Sequence, residues 1–318
     1  MNKIRVAVIG AGVFGRHHLR VLSQSLNATL VGVVDADPER AAQAAAEHNC
    51  LTFATLGELE GNIDAAVVAV PTSRHAEVGC ALLESGIDVL VEKPIAADLA
   101  SARRLVDTAA EHKRILQIGH LERFNPGVAA LKKITTIPLF FEIHRLSLFS
   151  PRSLDVDVVL DLMIHDLDIV LDLAGAMPEE IRAAGISILS DKVDIANVRL
   201  AFPGGCIANL TASRVSTERV RKLRLFQPHQ YISLDYQKQE AVAFTVSGNQ
   251  QIGFQPLPSV KEEPLRVEVE AFLASVANRT QPMVPGEEGL RALEVALAIL
   301  DKINQHAKLV TKRLQSPV

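Results

Sequence analysis

Residues 4–35 read IRVAVIGAGVFGRHHLRVLSQSLNATLVGVVD and determine the class of the amino-terminal fold. An apolar run ends in the hexapeptide GAGVFG, a helical pattern follows, and a second apolar run closes the stretch. A strand, a GxGxxG turn and a helix in this order are typical of a dinucleotide-binding unit. In such a turn Gly10 permits the tight bend, Gly12 lets a pyrophosphate approach the backbone, and Gly15 allows the helix to pack closely on the strand.

The acidic residue at the end of the second apolar run bears on the choice of dinucleotide. Asp35 lies 20 residues beyond Gly15, where a carboxylate accepts hydrogen bonds from the adenosine ribose and repels a 2′-phosphate. Ala36 follows it, and the next arginine is Arg40. The pattern therefore favours NAD over NADP, with a Rossmann-like fold that holds no dinucleotide as the alternative.

Alternation of short apolar runs with helical patterns continues through the first third of the chain. Runs rich in Val, Ile, Leu and Ala, as in strands covered on both faces, occur at 4–10, 28–35, 64–71, 88–94 and 115–119. Helical patterns lie between them at 14–26, 38–48, 74–85 and 98–112. This alternation predicts a parallel, doubly wound α/β sheet in a Rossmann domain over residues 1–120.

The rhythm changes after residue 120. Strand patterns follow one another between 180 and 256, after a short helical pattern at 125–133 and a strand pattern at 139–147. Two helical patterns come last, at 264–278 and 286–306. Several strands with helices on one side predict a second, α+β domain over residues 121–318 with an open, mostly antiparallel sheet.

Composition excludes several classes of protein. The 318 residues are 48% hydrophobic and 22% charged, and the net charge is −4 without a basic block, so a nucleic-acid partner is not indicated. Cys50, Cys80 and Cys206 stand far apart, which is typical of buried thiols in a reducing compartment. No signal-peptide pattern and no run of about 18 apolar residues occurs, so we expect a cytoplasmic protein with no membrane partner.

The motif LVEKP, at residues 90–94, ends the predicted strand at 88–94. Ligands of open α/β sheets bind at the carboxyl ends of the strands, so Glu92 and Lys93 are expected at the cofactor crevice. Pro94 disfavours helical geometry at Lys93. A surface Lys-Pro turn remains the alternative.

Residues 155–173 read DVDVVLDLMIHDLDIVLDL, which is nearly all aliphatic yet carries six aspartates and one histidine, without Lys, Arg, Glu or Gln. A helix over this segment would be apolar almost all round and hence buried, with Asp166 as the exception on the apolar side. On a helix of about 100° per residue, five polar residues form a stripe about 80° wide. They are Asp157, Asp161, His165, Asp168 and Asp172.

Three interpretations of this stripe are open. Because Asp161 and His165 are four residues apart, the carboxylate can orient the imidazole, which suits proton transfer near neutral pH. The stripe can also be a solvent face, although it lacks the long charged side chains usual there. A divalent metal site is the third reading, but no cysteine or second histidine lies at ligand spacing, so we expect no metal.

The ordered motifs together resemble the glucose–fructose oxidoreductase/inositol dehydrogenase (Gfo/Idh/MocA) family over the whole length. The motifs are GAGVFG, VPTSRHAEV at 70–78, VEKP, GHLERFNP at 119–126, DLMIH at 161–165 and EEGLRALEVALAI at 287–299. Within the family, ERFNP and LDLMIHD most resemble the UDP-N-acetylglucosamine 3-dehydrogenases. The chain departs where relatives carry a Gly-rich run and this sequence has DVDVV, and at His120.

By position, the resemblance implies that Lys93, Asp161 and His165 are the catalytic residues. His165 takes the hydroxyl proton, Lys93 stabilises the developing charge on the same oxygen, and Asp161 orients the histidine or holds a neighbouring hydroxyl. The predicted cofactor-binding residues are Gly10, Gly12, Val13, Phe14, Gly15, Asp35, Pro71, Thr72, His75, Glu92 and Lys93. The predicted substrate-binding residues are Lys93, Arg123, Asn125, Asp161 and His165.

The resemblance further implies NAD-dependent oxidation of a secondary hydroxyl of a sugar, with C3 of UDP-N-acetylglucosamine as the leading hypothesis. A dehydrogenase of a free sugar or inositol and a non-catalytic NAD-binding regulator are the alternatives. Since the late helices cover only part of the second sheet, an uncovered apolar face predicts a homodimer or homotetramer.

Overall fold

The chain divides into two compact units in a computed structural model that describes residues 3–149, 156–189, 191–248 and 251–315, with side chains up to residue 308. The first unit comprises the chain up to Leu121 and then Glu263–Leu290, and the second comprises Glu122–Glu262 and the chain from Arg291 onward. The predicted division into continuous domains, 1–120 and 121–318, therefore needs correction, because residues 263–290 return to the first unit.

The first unit contains a six-stranded parallel sheet of order β3-β2-β1-β4-β5-β6. Its strands are β1 (Ile4–Ile9), β2 (Ala28–Val34), β3 (Leu51–Phe53), β4 (Ala65–Val68), β5 (Asp88–Glu92) and β6 (Leu116–Gly119). This is the strand order of the doubly wound dinucleotide fold. Successive strands are added toward one edge from β1 to β3 and toward the other edge from β4 to β6, and ligands bind at the switch point between β1 and β4. The prediction of a Rossmann sheet is confirmed, with the short β3 added.

The α-helices of this unit are α1 (Val13–Gln24), α2 (Pro38–His48), α3 (His75–Glu84) and α4 (Leu99–Glu111), with α7 (Pro264–Asn278) added later in the chain. Two of them, α2 and α4, begin at an aspartate whose side chain caps the helix. The Asp37 side chain accepts hydrogen bonds from the amides of Glu39 and Arg40 at the start of α2, and Asp98 accepts one from Ser101 at α4. The apolar side of α7 joins the core beneath β1, with Val269 and Phe272 buried.

The second unit is built on an eight-stranded sheet of order β14-β13-β12-β11-β7-β10-β9-β8. Its strands are β7 (Phe140–Leu148), β8 (Glu180–Ile186), β9 (Ile195–Ala201), β10 (Ile207–Ser216), β11 (Val220–Gln227), β12 (Gln230–Asp235), β13 (Glu240–Val246) and β14 (Ile252–Leu257). Only β7 and β10 pair in parallel among these strands. The predicted open, mostly antiparallel sheet is thus confirmed.

The two faces of this sheet differ. One face forms an apolar core with α5 (Pro126–Ile134), α6 (Ile164–Ala174) and α8 (Gly286–Gln315). The other face carries an aromatic row across five neighbouring strands, with ring centroids 4.8 to 5.8 Å apart. The aromatic row consists of Phe140, Phe226, Tyr231, Phe244 and Phe254. Phe254 at the sheet edge is 64% exposed.

None of the helices in the described part of the chain combines the length and the apolar character needed to cross a bilayer.

Candidate active site

The glycine-rich turn connects β1 to α1 in the first unit, and its three glycines meet different surroundings. Gly10 has a φ of +99°, and a Cβ there would lie 2.5 Å from the Ala69 carbonyl oxygen. A Cβ on Gly15 would lie 1.8 Å from the Gly10 oxygen, whereas nothing lies within 4 Å of a Cβ on Gly12. Gly10 and Gly15 are therefore required by backbone packing, and Gly12 leaves the turn open to an approaching phosphate.

A crevice of about 430 Å³ opens beside this turn. Its lining residues are Ala11, Gly12, Val13, Arg16, Asp37, Glu39, Arg40 and Gln43. Val13 and Phe14 begin α1 with exposed apolar side chains, 59% and 54% exposed. The amino-terminal end of α1 adds partial positive charge, so the crevice suits the pyrophosphate and adenosine of a dinucleotide.

Asp35 links the glycine turn to the end of β2. Its Oδ2 accepts a hydrogen bond of 2.6 Å from the Ala11 amide, and its Oδ1 accepts one of 2.9 Å from the Asp37 amide. Each carboxylate oxygen can accept a further bond, so these contacts leave capacity for ribose hydroxyls. The structure adds that Arg40 reaches both Asp35, at 3.5 Å, and Asp37, at 3.2 Å.

The turn after β4 holds Pro71, which is exposed, and Thr72, which is half-buried. His75 in contrast is buried, with Nδ1 2.9 Å from the Pro94 carbonyl oxygen and Nε2 2.9 Å from the Val70 carbonyl oxygen. Burial lowers the pKa of His75 from its usual value, against the opposing effect of the two carbonyl groups and of Glu92. The histidine therefore ties this turn to the Lys93–Pro94 turn.

The Lys93 turn follows β5 directly. Lys93 is half-buried, and the Lys93–Pro94 peptide bond is cis. The preceding carboxylate points inward, because Glu92 Oε1 lies 2.7 Å from His18 Nε2 and Oε2 accepts a hydrogen bond of 3.3 Å from the Lys93 amide. Glu92 thus supports the lysine from within the unit.

The aspartate-rich segment of the second unit is not one regular helix. Val159–Met163 forms a π-helical turn, and α6 follows it. The wider turn shifts the phase of the residues before it relative to those after it, so the predicted α-helical stripe does not run unbroken. Asp155 lies outside the described residues. π-helical turns are frequent at functional sites, and this one contains Asp161.

Most aspartates of the segment have structural contacts. Asp157 accepts a hydrogen bond of 2.8 Å from the Val193 amide. Asp166 is bound by the buried guanidinium of Arg145, and Asp172 accepts a hydrogen bond from Lys132. Asp161 and His165 are half-buried, so these two can meet a ligand more readily than the buried Asp166.

Asp168 is the second buried aspartate of the segment after Asp166, and it faces Arg123, with the Arg123 Nε 3.4 Å from the Asp168 Oδ2. Burial raises the pKa of Asp168 to about 7; the charge of Arg123 opposes this rise, and the charge of Asp172, which also binds Arg123, adds to it. These contacts change the prediction that the whole polar stripe forms one site, since Asp168 and Asp172 bind a guanidinium of their own unit.

The ERFNP motif is built into the same unit. Arg123 has a 4% exposed side chain in its ion pairs, and Asn125 is 2% exposed. The Asn125 amide donates to the Tyr236 carbonyl oxygen at 3.0 Å and to Glu122 at 3.2 Å, while its oxygen accepts from the Gly127 amide. These contacts fit structural roles for Arg123 and Asn125 better than contact with a substrate.

Several buried polar residues escaped the sequence reasoning, although signals existed. His18 lies on the buried side of α1 with Gly15, Leu19 and Leu22, and a histidine on an apolar helix side is such a signal. Glu268 occupies the buried side of α7 in the same way.

Two models of protein families match parts of this chain. Residues 4–120 match a family model described as an oxidoreductase family with an NAD-binding Rossmann fold. Residues 145–229 match the model of the GFO/IDH/MocA C-terminal domain. The predictions of an oxidoreductase and of an NAD-binding domain are confirmed by these matches.

Individual relatives match along nearly the whole chain. UDP-N-acetylglucosamine 3-dehydrogenase of Acidithiobacillus ferrooxidans is 36% identical over 305 residues, which cover 94% of this chain and 97% of that protein. Inositol 2-dehydrogenase of Rhizobium meliloti is 26% identical and covers 96% of this chain and 98% of its own. The solved structure of the Acidithiobacillus enzyme superposes with a TM-score of 0.90 at 35% identity, covering 95% of this chain and 98% of that one.

Proposed function

The chain belongs to the GFO/IDH/MocA oxidoreductase family, and from this premise we propose that it oxidises the C3 hydroxyl of UDP-N-acetylglucosamine to a ketone with NAD as the hydride acceptor. The observation that carries the proposal is the similarity to the Acidithiobacillus enzyme named for this reaction, which extends over 94% of the chain at 36% identity. The family alone supports a sugar or cyclitol alcohol, and the nucleotide sugar is the finer part of the proposal.

Three side chains carry the proposed chemistry. His165 accepts the proton of the substrate hydroxyl, since an imidazole exchanges protons near neutral pH. Lys93 donates a hydrogen bond to the same oxygen and stabilises the charge that develops there. Asp161 orients His165. The bound nicotinamide supplies the hydride acceptor.

Cofactor choice follows from the residues around the crevice. Asp35 disfavours a 2′-phosphate by charge repulsion. Arg40 would favour one, but its guanidinium is held by Asp35 and Asp37. We therefore propose that NAD is preferred over NADP.

A second candidate has its own support. The likeness to inositol 2-dehydrogenase over 96% of the chain favours oxidation of a cyclitol or free sugar. The two candidates differ in whether the uridine diphosphate is needed for turnover, and a non-catalytic NAD-binding regulator would turn over neither.

The test is NAD reduction measured with UDP-N-acetylglucosamine, free N-acetylglucosamine and myo-inositol, with the product identified by mass spectrometry as two hydrogens lighter. We expect turnover of the UDP-sugar alone and a rise in melting temperature with that ligand in the presence of NAD. Turnover of myo-inositol without the UDP-sugar would refute the nucleotide-sugar assignment.

We also propose self-association through the aromatic row, because a continuous apolar surface of this kind is usually covered in solution. A dimer or tetramer is expected by light scattering, and a monomer at micromolar concentration would contradict it. Three free cysteines, Cys50, Cys80 and Cys206, support a reducing compartment and hence a cytoplasmic location.

A further inference from the structure

Three ionisable side chains from different elements meet in the interior of the first unit, and the dinucleotide motif does not account for them. His18 comes from α1, Glu92 from the end of β5 and Glu268 from α7. The imidazole nitrogen and carboxylate oxygens of this His18–Glu92–Glu268 cluster lie within 4.8 Å of one another. His18 and Glu268 are 0% exposed, so water does not solvate their polar groups.

The contacts of Glu92 favour its ionised form over that of Glu268. One of its oxygens faces His18 at 2.7 Å, and the other accepts the Lys93 amide at 3.3 Å. Burial alone would raise the pKa of Glu92, but the His18 hydrogen bond and the charges of His18, Lys93 and His75 outweigh burial and lower it. Glu92 is thereby a buried anion directly behind Lys93.

Glu268 has no comparable support. Neither of its carboxylate oxygens has a hydrogen-bond partner within the part of the chain that is described. Gln117, its neighbour on β6, donates to the Glu268 backbone carbonyl at 3.3 Å and not to the carboxylate. A second bare anion within 4.8 Å of Glu92 would be costly in these surroundings.

A carboxylic acid resolves this conflict, since it carries no charge and gains an O–H donor. Burial, and then the charge of Glu92, raise the pKa of Glu268 well above its usual range, which agrees with the contacts. Lys93 and His75 act electrostatically on Glu92, and Glu92 is the charged group that acts on Glu268.

We propose that Glu268 is folded as a neutral carboxylic acid, so that Glu92 remains the single anion of the cluster and positions the Lys93 turn. Glu268 and Glu92 are positioning residues in this arrangement, because they act through Lys93. The role of Lys93 rests on the proposed function, whereas the buried proton on Glu268 does not.

A divalent cation bound by the same three side chains is the rival chemistry, since imidazole and carboxylate groups are common metal ligands. Between His18 and Glu92 the 2.7 Å contact is a hydrogen bond, so a cation would have to displace its proton. Elemental analysis separates the two chemistries.

The buried proton is tested without turnover. Infrared difference spectra of wild type minus Glu268→Gln at about pH 8, where an ordinary glutamate is ionised, should contain the carbonyl band of one protonated carboxylic acid. The exposed Glu287, in the same unit, provides the matched control. The Glu287→Gln variant keeps Glu268, so the difference spectrum of wild type minus Glu287→Gln should lack that band. If Glu268→Gln does not fold, wild-type protein with ¹³C-labelled glutamate carboxyls gives the same reading.

Absence of the acid band in wild type would overturn the proposal, and so would a stoichiometric metal found by elemental analysis and lost in Glu268→Gln. If wild type oxidises none of the sugars but keeps the band, the proposed function fails and the buried proton stands.

The link to Lys93 is tested by the pH profile of kcat. Removal of the Glu268 proton at alkaline pH places a second anion beside Glu92, so wild-type kcat should fall along an alkaline limb that Glu268→Gln lacks. The Glu287→Gln enzyme should follow the wild-type profile. Superimposable wild-type and Glu268→Gln profiles would overturn the positioning role, because a merely structural side chain does not move such a limb.

Discussion

Replacement of Arg145 by methionine tests how much of the second unit depends on one buried cation. The Arg145 guanidinium donates to the two Asp166 oxygens at 2.7 and 2.8 Å and to Glu122 at 2.9 Å, and its side chain is 2% exposed. Methionine keeps much of the volume but leaves two buried carboxylates without a cation. Breaking a buried pair from one side costs about 3–5 kcal/mol, and we expect a loss in this range.

The same sheet supplies a matched control. Arg224 on β11 binds Glu142 at a similar distance, 2.8 Å, but the two side chains are 40% and 36% exposed. Arg224→Met should cost at most about 1 kcal/mol, because water solvates the remaining carboxylate. The two variants thus differ mainly in burial.

Urea unfolding followed by tyrosine fluorescence measures both losses in the second unit alone. The chain has two tyrosines and no tryptophan, and both Tyr231 and Tyr236 belong to the second unit. With a slope of about 3 kcal/mol per molar urea, the Arg145→Met midpoint should fall by about 1–1.7 M. Equal shifts for Arg145→Met and Arg224→Met would refute the argument from burial.

Three further changes have separate outcomes. Asp35→Ser with Ala36→Arg should shift the preference in kcat/KM toward NADP, since repulsion is removed and a phosphate partner is added; equal kcat/KM for both cofactors in the unmodified enzyme would contradict the role of Asp35. His165→Ala should lower kcat by about a hundredfold or more at nearly unchanged NAD affinity, and near-normal turnover with the true substrate would remove the histidine from the mechanism. Burial raises the pKa of Asp168 to about 7, so folding takes up a proton at this carboxyl above its unfolded pKa of about 3.9. The contribution of Asp168 to the free energy of unfolding is therefore fully present below about pH 3.9 and is lost as the pH rises toward 7. Asp168→Asn should flatten this decline in urea unfolding, and parallel slopes in the two proteins would count against the assignment.

The strands of the first sheet could be predicted almost completely from the sequence, because continuous apolar strands and the GAGVFG turn are local signals. The strand β3 was missed, since three residues are too few to show a period. The π-helical turn was missed for a different reason. Val159–Met163 is apolar on nearly every side, so an extra residue in the turn leaves no break in the pattern.

Long-range partners could not be read from the chain. The amphipathic pattern of α7 predicted a helix, but nothing local indicates that it packs on the first unit. The burial of Arg145 had a signal that went unused, because it follows Phe141 and Ile143 at a period of two along β7. The candidate residues Lys93, Asp161 and His165 came from motif order, and their chemistry stays a prediction.

The late return of residues 263–290 to the first unit has a consequence for biosynthesis. During translation, the glycine turn and all six parallel strands are synthesised long before α7. The core positions of Val269 and Phe272 in the first unit therefore stay unfilled until the whole second sheet has been synthesised. Glu268 arrives only with that helix. The nascent chain therefore passes through a stage in which the Lys93 turn exists and Glu268, which we propose acts on it through Glu92, does not. The first 121 residues, expressed alone, would be held in that stage.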